Sequence, residues 1–147
     1  MKRLFLIIAM ALSLFSLPAT AVHPQSDNEC LVNFTHSYFD WFRGVLRSSY
    51  GGSLKEMVQG EMEEATDLLH LLKNTSTESC PKKTLTQMRD LRSVAKSWIG
   101  ELKQLAGRIK AGEVKYPPDS FITARTAYRK YHVELIKALR YETGIRW

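Results

Sequence analysis

Asp67 and His70 stand three apart in Asp67-Leu68-Leu69-His70, a spacing at which one turn of helix offers a carboxylate and an imidazole to the same metal. Di-metal bundles use this pattern as Glu-x-x-His, twice, with further glutamates from facing helices. Here it occurs once and with Asp, so the expectation is no metal site. His70 then ends a helix, where positive charge suits the dipole. Nucleophilic catalysis finds no better support. The chain lacks a Gly-x-Ser-x-Gly elbow. Glu56, Glu61, Glu63 and Glu64 crowd one segment and read as exposed, mutually repelling groups, whereas a tuned acid–base pair needs burial to separate its pKa values. No enzymatic activity and no cofactor are expected.

A haem would need an axial pair. Residues 123–131, Thr-Ala-Arg-Thr-Ala-Tyr-Arg-Lys-Tyr, resemble the C-terminal helix of the cytochrome b562 family. That resemblance implies a four-helix bundle holding haem or a small ligand, the alternative to a protein-binding role. Both family ligands are missing: Arg129 stands where the axial His would follow the Tyr, and the first helix contains no Met. His132, His36 and Met57 are the other candidate ligands. Any haem would be non-covalent, because no Cys-x-x-Cys-His motif exists.

The 147-residue chain is 24% charged and 44% hydrophobic, a composition for one globular domain and not for a disordered chain. Residues 1–21 read as a cleaved signal peptide. Lys2 and Arg3 precede the apolar run 4–17, Pro18 breaks it, and Ala19-Thr20-Ala21 supplies the small-x-small cleavage pattern. The run is short for a bilayer-spanning helix. Residues 22–147 form the domain, with a periplasmic or secreted destination. There, Cys30 and Cys80 are expected to form one structural disulfide, worth about 4 kcal/mol in the chain-entropy model.

Four helices are legible in the apolar spacing and no strand is. The first runs from about Glu29 to Ser48, capped by Asp27 or Asn28 and stopped by Gly51-Gly52. Ser53 caps a second that reaches about Lys73. The third runs from near Thr84 to Gly112, before Pro117-Pro118, and the fourth from Asp119 or Ser120 to Gly144. Short links favour antiparallel neighbours, so an all-α, up-down-up-down four-helix bundle is expected. In that topology Cys30 and Cys80 lie at the same end.

Charge is polarised along the chain. Residues 22–80 hold 4 basic and 9 acidic groups, residues 81–147 hold 15 and 6. Either the acidic second helix lies against the basic fourth, or the basic face meets an acidic partner or a membrane surface. Export argues against nucleic acid. The expected partner surface is the outer face of the fourth helix, Arg125, Arg129, Lys130 and Arg140, with Trp41 and Phe39 as aromatic anchors. Tyr141 and Trp147 raise the same possibility. Gly100 and Gly107, seven apart on the third helix, read either as a place where another helix approaches closely or as tolerated surface glycines. Sequons stand at Asn33, inside the aromatic face, and at Asn74, in a loop. The expected function is protein binding, as an inhibitor, a toxin-immunity protein or an envelope accessory factor.

Overall fold

The computed structural model describes residues 28–48 and 52–146. The leader expected over 1–21, the capping candidate Asp27, Gly51 and Trp147 lie outside these residues. Four helices make up the described chain: α1 (Glu29–Arg47), α2 (Leu54–Asn74), α3 (Lys82–Lys110) and α4 (Asp119–Thr143). No strand occurs among the described residues. None of the described helices is long and apolar enough to cross a membrane.

Local chemistry sets the helix ends. The Asn28 side chain accepts from Leu31 N at 3.1 Å and starts α1. Ser53 and Glu56 form a reciprocal capping box on α2. The same Ser53 bonds hold the Glu56 carboxyl below its ordinary value. α3 begins at Lys82, two residues before the expected start, because Pro81 is preset at φ −58° as the flanking residue. Gly112 at φ +75° lies just beyond the end of α3, and Gly144 at φ +69° ends α4, both in the left-handed region that favours glycine.

Contacts at the helix ends fix the directions. Asn28 Nδ2 donates to Ser79 O, so the start of α1 meets the loop before α3. Arg92 near the start of α3 donates to Leu72 O near the end of α2. Lys83 at the start of α3 pairs with Glu142 at the end of α4 at 2.8 Å. Consecutive helices therefore run antiparallel, in the expected up-down-up-down bundle. Cys30 and Cys80 are joined at one end, with Cα atoms 5.1 Å apart.

The packing is uneven. α2 and α3 approach most closely, with Ala65 and Ala95 in their buried stripes leaving short side chains between them. Trp98 holds α3 and α4 further apart, its ring stacked on Phe121 and Tyr128 at 5.7 and 5.1 Å. The α3 stripe has a phase that turns Thr84 and Gln87 inward and leaves Leu85 40% exposed.

Candidate functional site

Glu61 is the most unexpected core residue. On α2, Leu54, Val58, Glu61, Ala65, Leu68 and Leu72 step by four and three, so Glu61 takes a place on the apolar face. Its side chain is 1% exposed, and one oxygen, Oε1, accepts from Arg125 Nε at 2.5 Å and Arg129 Nη2 at 2.9 Å. Both arginines come from α4, on successive turns of one face. A carboxylate buried at this depth needs such partners, since unpaired it would cost several kcal/mol.

His132 lies one turn from Arg129. It is 1% exposed, and its Nδ1 is hydrogen-bonded to the Tyr38 hydroxyl of α1 at 2.5 Å. The ring sits among Trp41 at 5.1 Å, Phe42 at 5.9 Å and the edge-on Tyr128 at 4.4 Å. Burial, and then the Arg129 charge, push its pKa down to about 3, so the imidazole is neutral at physiological pH. Burial also raises the Tyr38 and Tyr128 hydroxyls far above their ordinary range. A neutral histidine bonded to a neutral phenol, shut away from solvent, ties α1 to α4 and is poorly suited to proton transfer at neutral pH. A porphyrin ligated by His132 would have to displace the rings around it. His36 is exposed and Met57 half-buried. No group of three or more His, Cys, Asp or Glu suited to a metal occurs among the described residues, and Asp67 and His70 are both exposed.

The expected partner surface on α4 is therefore divided. Arg125 and Arg129, 29% and 40% exposed, are engaged by Glu61, which is the intramolecular alternative for the charge polarity. Lys130 and Arg140 are exposed. Phe39 is only 2% exposed and does not serve as a surface anchor, because α1 touches two neighbours and its buried face is wide enough to include it. Trp41 is half-buried, its indole N–H donating to Glu64 O at 3.1 Å. Tyr141 is half-buried as well. Asn33, expected inside the aromatic face, is exposed, and with Asn74 it lines a depression of about 730 Å³ beside the disulfide.

A different surface has the features of a binding site. Three depressions of about 540, 410 and 600 Å³ follow the α2–α3 seam and share Met62, then Leu69 and Lys96, at their junctions. Half-buried Met62, Leu69, Ile99, Ala106 and Ile109 form the floor. Lys55, Lys73, Arg92, Lys96, Lys103 and Lys110 line the sides, and no carboxylate lines any of the three. A signal for this surface was present in the sequence: Lys96, Lys103 and Lys110 recur every seventh residue, which keeps them close to one stripe of α3.

The chain matches no protein-family model, no curated protein and no solved structure.

Proposed function

We propose that the chain is an exported, non-enzymatic protein-binding module that engages a partner with an acidic surface. The α2–α3 groove is the observation that carries this reading. An apolar floor walled by cations and free of carboxylates is an unsatisfied surface: it gains from covering its apolar area and from meeting negative charge. Lys96, Lys103 and Lys110 make no ion pair among the described residues. The disulfide and the leader-like first 21 residues support a destination outside the reducing cytoplasm. Inhibitor, immunity protein and envelope accessory factor are the roles compatible with such a module.

Site-specific photo-crosslinking in the native envelope tests the reading. A photoreactive residue at Thr66, inside the groove, should give one discrete adduct whose yield falls with salt. The same group at Lys137 on α4 should give none. A folded chain that yields no adduct from Thr66, or equal adducts from both positions, would remove the basis for the proposal.

A further inference from the structure

We infer that the α2–α3 groove seats an acidic amphipathic helix contributed by the partner protein, an inference that rests on the binding-module reading and specifies its ligand. The groove has a helix's dimensions. From Lys55 to Lys73 it follows α2 for about five turns, roughly 27 Å at 1.5 Å per residue. Its three depressions succeed one another at intervals of about seven residues, from Met62 to Leu69 on α2 and from Ile99 to Ala106 on α3. A straight helix laid along the seam presents large apolar side chains at i, i+7 and i+14, one to each depression, with i+3 or i+4 residues between them.

The walls select the sign of the ligand. Lys96, Lys103 and Lys110 recur at heptad spacing along the α3 wall, and Lys55 and Lys73 stand at the two ends of the α2 wall. Glu56, Glu63 and Asp67 lie on the next face of α2, outside the lining, so acidic character on the incoming helix belongs on the α3 side. Gly100 lies in the middle depression, and a Cβ built there meets nothing within 4 Å. The missing side chain leaves the wall low where a docked helix comes nearest.

A bilayer surface fits this shape less well. The apolar floor is recessed beneath the lysines, whereas interfacial binding requires apolar side chains that project into the lipid. The exposed large hydrophobics, Leu46, Leu85, Tyr116, Ile122 and Val133, lie away from the groove lining.

The test uses an 18-residue synthetic helix with leucine at positions 1, 4, 8, 11 and 15 and glutamate on the flanks, its lysine counterpart, and phosphatidylglycerol vesicles. The glutamate peptide should bind the native chain, and the lysine peptide should not. The double change Lys96→Glu and Lys103→Glu should weaken binding by about tenfold or more and reduce its salt dependence. Gly100→Leu should weaken it comparably by filling the middle depression while thermal stability holds or rises, which separates occlusion from unfolding. Equal binding of both peptides, or full affinity in the folded Gly100→Leu chain, would overturn the inference. Failure of the glutamate peptide alongside a groove-specific Thr66 adduct would refute the helix ligand and leave the binding module standing. Vesicle binding abolished by the two lysine reversals, with no peptide binding, would replace the helix with an anionic lipid surface.

Discussion

Glu61 on α2 and Arg125 on α4 meet at 2.5 Å with the carboxylate 1% exposed and the guanidinium partly in solvent, so the acidic second helix and the basic fourth are joined by a carboxylate that lies inside the bundle. The pairing converts much of the apparent basic surface of α4 into a structural feature. It also changes what a charge-reversal experiment would report. Arg129→Glu would place a second carboxylate beside Glu61 and damage the fold before it reported on any partner.

Removing the shared carboxylate should be costly. Glu61→Gln leaves two guanidinium groups without their counter-charge, and Arg129 Nε is already buried without a partner. Because both arginines retain some solvent, the loss should fall at or below the lower end of the range for broken buried pairs, about 2–3 kcal/mol in urea denaturation. A double-mutant cycle with Arg125→Met should show strong coupling. Additive single effects would show that the pair contributes little.

His132 gives the fold a pH dependence of definite sign. Its pKa falls from an ordinary value of 6.5 to about 3 in the folded chain, so between these values the unfolded state binds a proton that the folded state does not. Stability is complete above pH 6.5 and should fall by about 1.4 kcal/mol per unit as the pH drops toward 3. Urea midpoints between pH 7.5 and 5.5 report this effect, because Glu56, held below its ordinary 4.5, adds a loss of the same sign only as the pH nears 4.5 and its unfolded form takes up a proton. His132→Phe should be less stable at pH 7.5, having orphaned the Tyr38 hydroxyl, and should have a flatter profile. An unchanged slope in that variant would show that another group titrates.

The disulfide should act mainly on the unfolded chain. Replacing both Cys30 and Cys80 by serine releases a constraint between residues 50 apart in sequence, which the chain-entropy model values at about 4 kcal/mol. The reduced native protein should match the double serine variant in urea midpoint. A midpoint unchanged by reduction would show that the helix packing already restricts the open chain.

The sequence carried the fold well because a helical apolar stripe repeats over many residues, and one error shifts an end by a turn or less. α3 begins two residues before the expected start, yet the element and its direction are the expected ones. The two cysteines supplied an independent check on topology. Side-chain fate was harder to read where a polar residue occupies an apolar position. Glu61 sits in the run Glu61-Met62-Glu63-Glu64, and together with Glu56 this composition reads as four solvated charges. Its place in the four-and-three series of α2 was the available signal, but only the opposing helix decides whether a buried carboxylate finds an arginine. Phe39 went the other way: off the centre of its stripe, it is buried because a bundle helix packs against two neighbours. The groove was hidden for a related reason, since heptad lysines on α3 become a wall only when α2 lies beside them.

Gly100 and Gly107 offer the cleanest separation of stability from binding. Both stand inside α3, where glycine costs about 0.5–1 kcal/mol relative to alanine, and a Cβ built at either meets nothing within 4 Å. Gly100→Ala and Gly107→Ala should therefore each raise stability by about that amount, read as an increased urea midpoint with unchanged slope. The two sites differ in place, since only Gly100 lines the middle depression. If the groove seats a helix, affinity for the glutamate peptide should drop more for Gly100→Ala than for Gly107→Ala, although both chains are more stable than the native one. Stabilisation with equal, unaltered affinity in both would mean that the gap at Gly100 has no part in docking.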